Sequence, residues 1–270
     1  MNFPPTTFYN DRQKHLNLWW QGILFIMALL LINLLLYAFD HRMLADEALW
    51  IKPIKFEISI IIHFATLAFL AAYLSPERRN SLSWKVMSYL VVGSGVAEIL
   101  YIFLQAARGR ESHFNDTTTT EIVMYGLMGV GAVILVAGSF YLGYLLYREY
   151  QESRQQQAQN NVFLLSAALG LTTGSAMTLV FASHLSSSPD YLSASIANGA
   201  LQAPLLGWYL DGRDLRIPHF LATHMMQLIP LYGLWLSQKS HTTDPKKSLY
   251  WVAGAYSLLV ITLFAFAALT

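Results

Sequence analysis

The chain has 270 residues, of which 55% are hydrophobic and 12% charged, with a formal net charge of +1. Soluble domains carry roughly 25% charged residues, so this composition excludes an ordinary soluble globular protein. It describes an all-α polytopic transmembrane helix bundle. The near-zero charge provides no basic surface for nucleic acid, and the lack of cysteine excludes disulfides, thiolate metal sites and iron–sulfur ligation.

Residues 1–17 are polar and carry Arg12 and Lys14, and an apolar run follows over 18–39. That run is too long for a signal-peptide core and no small-x-small cleavage site follows it, which predicts an uncleaved first span. Trp19 and Trp20 suit the interfacial belt. Further runs of about 20 residues, enough to cross the hydrocarbon, lie near 51–74, 86–106, 122–147, 162–183, 217–237 and 248–269. The expectation is about seven spans in a single integral membrane domain over 1–270. The stretch 191–210 holds Asn198, Gly199, Gln202, Pro204 and Gly207, which disfavour a lipid-facing helix. It is assigned to a long outer loop, 184–216, and an eighth span there is the alternative.

Orientation follows from the basic residues. With the N-terminus inside, Arg12, Lys14, Arg78, Arg79, Lys85, Arg148, Arg154, Lys239, Lys246 and Lys247 are cytoplasmic. Arg42, Lys52, Lys55, Arg108, Arg110, Arg213 and Arg216 are then outside. This predicts a cytoplasmic N-terminus and an extracytoplasmic C-terminus. The second and sixth spans open alike, Lys52-Pro53-Ile54-Lys55-Phe56 and Arg216-Ile217-Pro218-His219-Phe220. Proline is common in a first helical turn, so no duplication is inferred.

Three spans carry polar stripes at helical spacing. The second has Lys52, Lys55, Ser59, His63 and Thr66; the third has Ser94, Glu98, Tyr101, Gln105 and Arg108; the sixth has Arg216, His219, Thr223 and Gln227, flanked by His224. A cation facing hydrocarbon costs at least about 2.5 kcal/mol, so such stripes must turn inward. Glu98 and His224 fall roughly 10 Å below the outer boundary, with His63 somewhat deeper, which predicts one buried pocket in the outer leaflet. A purely structural network, with Glu98 pairing Lys55 or His63, is the competing reading, since buried charges need partners whatever the function. Lys52, Lys55, Arg108, Arg110, Arg213 and Arg216 outnumber Glu98, Glu111, Asp211 and Asp214. The second and sixth helices also point their positive dipole ends outward, so an anion is the expected ligand.

The loop 107–116 concentrates Arg108, Arg110, Glu111, His113 and Asn115, and Asp116 to Glu121 is expected to cap the fourth span. In the loop 207–220, Asp211-Gly212 marks a turn and Asp214 is a candidate cap for the sixth span. Trp50 and Trp208 either wall the mouth or sit at the interface. Gly170 and Gly174 read as close helix packing. His15, His41, His184 and His241 are expected to be solvated.

Three motifs in order resemble an uncharacterised family of bacterial multi-pass membrane proteins. They are Trp50-Ile51-Lys52-Pro53 with Lys55-Phe56, then Gln105-Ala106-Ala107-Arg108-Gly109-Arg110 with Ser112-His113-Phe114-Asn115, then Asp214-Leu215-Arg216-Ile217-Pro218-His219-Phe220 with His224 and Gln227. Arg213 departs from the glycine of that pattern. The resemblance implies the layout and leaves the activity open.

The functional expectation is a site for an anionic small molecule or a membrane-lipid head group. Lys52, Lys55, Arg108, Arg110 and Arg216 hold the anion, and Glu98, His219 or His224 transfers protons. Three alternatives accompany it. A b-type haem held by His63 and His224 suffers from unequal depth and the nearby Glu98. A metal-dependent hydrolase is suggested by Ser59-x-x-x-His63, which is similar to the second-span signature of the alkaline ceramidase and progestin-receptor superfamily. That superfamily also has an HxxxH pair in its last span, whereas here His219 and His224 stand about 140° apart on a helix and the last span has no histidine. No metal site is therefore expected. A proton-coupled transporter using Glu98 and His63 lacks an evident pair of discontinuous helices.

Overall fold

A computed structural model describes residues 6–44, 47–155, 161–188, 192–203, 206–239 and 244–269, with side chains from residue 17 onward and without that of Gln155. The side chains of Arg12, Lys14 and His15, and the whole of Pro204 and His241, lie outside the described residues. Among the described residues the elements are α1 (Thr6–Phe39), β1 (Met43–Leu44), β2 (Glu47–Ala48), α2 (Ile51–Ala71), α3 (Pro76–Asn80), α4 (Leu82–Ala107), α5 (Thr119–Gln155), α6 (Asn161–Ser186), α7 (Ser193–Ala197), α8 (Arg216–Gln238) and α9 (Pro245–Leu269).

Six helices are long and apolar enough to cross a membrane: Asn17–Phe39, Ile51–Ala71, Leu82–Ala107, Thr119–Arg154, Asn161–Ser186 and Pro245–Leu269. The chain is a multi-pass all-α membrane protein. The remaining expected span is α8, whose 23 residues reach roughly 35 Å at 1.5 Å per residue. That length is enough for the bilayer core, but two histidines, two glutamines and two prolines keep α8 below the apolarity of the other six. The stretch 191–210 holds only the five-residue α7 and an isolated bridge, Gln202 to Tyr209. Among its described residues there is no eighth span.

The chain divides into two compact units, residues 1–138 and 139–270, with α5 running through the boundary. In the first, α1, α2 and α4 pack on one another. Their shared core is centred on Phe64, fully buried between two glycines. A Cβ on Gly95 would stand 2.6 Å from its ring, and one on Gly22 would stand 2.9 Å from Val92 and 3.2 Å from the same ring. The absence of side chains there is what lets an aromatic ring fill the three-helix axis. Trp19 meets Phe64 edge-on at 5.7 Å and stacks on Trp84 at 6.3 Å. Ser81 caps α4 by accepting from the Trp84 amide at 3.3 Å, and the first half of α5 rests on α4 where Gly138 meets Val91.

In the second unit α6 and α8 form the closest helix pair. A Cβ on Gly170 would fall 2.7 Å from Pro230 and 2.9 Å from the Met225 carbonyl, and one on Gly174 would fall 2.9 Å from Met226. On the facing helix, Gly233 makes room for Ser166. Small residues on both sides bring the backbones together, and this replaces the hydrophobic drive that lipid does not supply. The other side of α8 meets α9. Phe181 stacks on Phe264 at 3.9 Å around Ala222 and Val260, and the Tyr256 hydroxyl donates to the Leu221 carbonyl at 2.9 Å. The apolar window of α6 is 67% buried and that of α9 only 11%, so α6 is the central helix of this unit and α9 its lipid-facing one.

Candidate functional site

In the first unit one end of the bundle is built from the β1–β2 hairpin, the start of α2, the end of α4 and the loop 108–118. The hairpin is tied down by Asp40, whose carboxylate accepts from the Arg42 guanidinium at 2.7 to 3.0 Å and from the Trp50 indole at 2.9 Å. Arg42 also donates to the Ala107 carbonyl at the end of α4, at 3.3 Å. The hydrogen bonds from Arg42 and then Trp50 hold the Asp40 carboxyl far below the usual carboxylate range, and Asp40 in turn raises the affinity of Arg42 for its proton. Trp50 is buried among Leu49, Ala106, Ile54 and Phe103. It is a packed anchor of this end, not the wall of an open mouth.

The loop itself is organised by two buried amides. Gln105 donates to the Tyr101 hydroxyl and to the Glu111 carbonyl, both at 3.1 Å, and accepts from Arg108 at 2.8 Å. Asn115 donates to the same Glu111 carbonyl at 2.8 Å and accepts from Thr117 through its amide (3.2 Å) and hydroxyl (2.7 Å). Gly109 at φ +66° and Phe114 at φ +55° make the two sharp bends between them. His113 lies between the rings of Phe56, at 5.3 Å, and Tyr125, at 6.0 Å, with the Ser112 hydroxyl 3.0 Å from Nδ1. Burial, assisted by the charge of Lys52, pushes the His113 imidazole down to about 3, so it is neutral at physiological pH. The expected cap of α5 is present. The Glu121 amide donates to Thr118 Oγ1 at 3.3 Å, which is one half of a capping box, and the Glu121 carboxylate accepts from the hydroxyls of Thr117 and Thr118, the latter at 3.0 Å, and from Arg110 at 2.8 Å.

These contacts reduce the cationic excess counted from the sequence. Lys55 pairs with Glu47 at 2.5 Å and Arg110 with Glu121, and neither carboxylate entered that count. Lys52 is left in the first turn of α2, half-buried, beside His113 and within the field of Glu111 and Glu47. Of the deeper stripe residues, Ser59 is exposed and His63 half-buried. Glu98 is buried on α4 with Oε2 accepting no hydrogen bond among the described residues. Sequence reasoning passed over Glu57 on α2, which is fully buried and accepts a hydrogen bond from Asn33 on α1. A polar residue inside an apolar run at each of two adjacent spans was the signal that could have found them.

In the second unit the segment before α8 closes on Asp214, which is fully buried. Its carboxylate accepts from the Tyr209 amide at 2.9 Å, from the Arg216 amide at 3.0 Å, and from the Arg216 guanidinium through Nε (2.8 Å) and Nη2 (2.5 Å). Arg216 reaches the Gly207 carbonyl as well, at 2.9 Å. Asp214 is thus the expected cap of α8, and it engages Arg216 in the same fork. The Asp211-Gly212 turn is present, with the Arg213 amide donating to Asp211 at 3.2 Å and Gly212 at φ +87°. Trp208, Phe220 and His224 form an edge-on ladder, with centroids 5.0 and 4.1 Å apart. His219 keeps a buried Nδ1 with no hydrogen-bond partner among the described residues. Thr223 bonds back to the His219 carbonyl at 2.9 Å and lies 3.3 Å from the Thr178 hydroxyl, with Gln227 one turn further along α8.

The first unit therefore gathers Lys52, Lys55, Tyr101, Gln105, Arg108, Arg110, His113 and Asn115 at one end. The second gathers Asp214, Arg216, His219 and His224 at the start of α8. Within neither unit do the described residues bring together three histidine, aspartate or glutamate side chains able to hold a metal. What fold and site define is the class: a multi-pass integral membrane helix protein with a polar, loop-covered end. Comparison with protein-family models, curated proteins and solved structures gives no match to this chain.

Proposed function

We propose that the protein binds an anionic small molecule or an acidic lipid head group at the loop-covered end of α2 and α4, on the extracytoplasmic side of a bacterial inner membrane. The resemblance to a family of bacterial multi-pass membrane proteins is part of this reading. The observation that carries it is the start of α2. Trp50 at its N-cap makes no side-chain capping bond and its first turn holds no acidic residue, so the positive end of the helix dipole is uncompensated there. Lys52 stands in that turn, and Gln105 holds Arg108 just past the end of α4. The start of α8 differs, because Asp214 already occupies its amide and its arginine.

An anion at α2 completes this arrangement: it takes the free amide end, Lys52 and Arg108. Lys55 and Arg110, engaged with Glu47 and Glu121, set the walls. Glu98, on α4 of the same unit, is the candidate for proton exchange with the ligand. The test is mass spectrometry of lipids and anions that co-purify with the protein. Lys52→Met and Arg108→Met each reduce the bound species about tenfold, which corresponds to a lost charge-assisted contact of about 1.4 kcal/mol. Lys55→Met leaves it within about twofold on the same scale. If all three variants carry the same complement as the wild type, the reading is wrong.

A further inference from the structure

Asn33 and Glu57 are both fully buried, each roughly two helical turns from the hairpin that joins α1 to α2. Asn33 Nδ2 donates to Glu57 Oε1. The oxygen of the amide, Asn33 Oδ1, and the second oxygen of the carboxyl, Glu57 Oε2, are also buried and have no hydrogen-bond partner among the described residues. Both are acceptors, so with Glu57 ionised the pair lacks one donor and leaves a charge inside an apolar helix interface. A carboxamide and a carboxylic acid are both planar and equally spaced, and they close a ring of two hydrogen bonds when the acid is protonated. In that ring the amide N–H donates to the acid carbonyl and the acid O–H donates to the amide oxygen. One proton on Oε2 therefore supplies the missing donor and satisfies both stranded oxygens at once.

We propose that Asn33 and Glu57 form an intramembrane proton-binding site, in which Glu57 Oε2 carries a proton and donates it to Asn33 Oδ1. The proton comes from solvent hydronium and returns to water, with no other bond made or broken. The surroundings fit a neutral occupant. Between Asn17 and Phe39, α1 has no charged side chain, and its one titratable group, Tyr37, is exposed. On α4 the titratable groups are Lys85, Tyr89, Glu98 and Tyr101, of which Glu98 alone is buried. On α2 they are Lys52, Lys55, His63 and Glu57 itself, since Tyr73 follows its last residue.

Infrared spectroscopy of the full chain in lipid nanodiscs at neutral pH tests this. The expected spectrum contains the carbonyl stretch of a protonated, hydrogen-bonded carboxylic acid. Glu57→Gln removes one carboxyl's share of that band, which also separates it from any contribution of Glu98. Asn33→Leu keeps the band but moves it to higher wavenumber, because the acid loses its acceptor, and this readout stands if Glu57→Gln does not fold. Identical wild-type and Glu57→Gln spectra overturn the proposal, as does an Asn33→Leu band that does not move. Sodium or potassium raising the melting temperature of the wild type but not of Glu57→Gln also overturns it, since the two oxygens would then hold a metal cation.

Discussion

Replacing Asp214 with asparagine preserves shape and removes charge, but the new amide N–H₂ faces donors already aimed at that position from Tyr209 and Arg216. Removing one partner of a buried, multiply bonded ion pair strands the other, so Asp214→Asn is expected to cost about 3 kcal/mol, read as a lowered melting temperature in detergent. Lysine at 216 does not substitute, because the fork that meets both carboxylate oxygens and the Gly207 carbonyl is planar. His113 yields a pH dependence. Its folded-state value of about 3 lies below the ordinary 6.5, so between these values the unfolded chain holds the extra proton. The His113 contribution is complete above 6.5 and is lost as pH falls toward 3, at up to about 1.4 kcal/mol per pH unit. Melted at about pH 7 and at about pH 5, the wild type is expected to lose up to about 2 kcal/mol relative to His113→Gln between the two. At this scale the sequence was informative about which residues are polar at depth, and much less so about who pairs with whom. Asp40, Glu47 and Glu121 take up Arg42, Lys55 and Arg110 through chain reversals that helical periodicity does not encode. Glu57 falls off the polar stripe of α2 and points with Phe64 and Ile60 into the core.

Helix seams are where a single atom matters most. Gly174→Val or Gly170→Leu forces α6 and α8 apart and is expected to cost about 2–3 kcal/mol, measured by thermal unfolding. Gly254 on α9 has nothing within 4 Å of an added Cβ, so Gly254→Ala is the matched control and is expected to leave the melting temperature unchanged or slightly raised. The capping box gives a milder prediction: Thr118→Ala lowers stability by about 1 kcal/mol and frays the start of α5, read by amide hydrogen exchange over residues 119–122. Elements of this kind were largely legible beforehand. Apolar runs bounded by charge gave most long helices to within a turn or two, but α1 begins at Thr6, well before its apolar run, and α5 continues to Gln155, well past its own; Gly170 and Gly174 announced their seam by spacing alone. The hairpin was not legible, because strands of two residues carry no periodicity.

For the molecule as a whole, α8 decides the topology: if it crosses beside the six apolar helices, the number of crossings is odd. Reporter tags at the two ends are therefore expected on opposite faces of the membrane, with the amino-terminal one cytoplasmic. Tags on the same face would mean that α8 does not cross. By contacts the chain falls into two compact units that meet near Gly138. A boundary inside a continuous apolar helix changes neither composition nor hydropathy, so nothing in the sequence pattern marks it.

Biosynthesis feels the glycine seam as well. The ribosome delivers α6 before α8, so when the more hydrophilic segment reaches the translocon its docking groove already lies in the bilayer. Entry of α8 is then templated by an earlier neighbour and not driven by its own partitioning. A reporter fused after α8 is accordingly expected to change sides when Gly170→Leu fills that groove, although residue 170 belongs to a different helix.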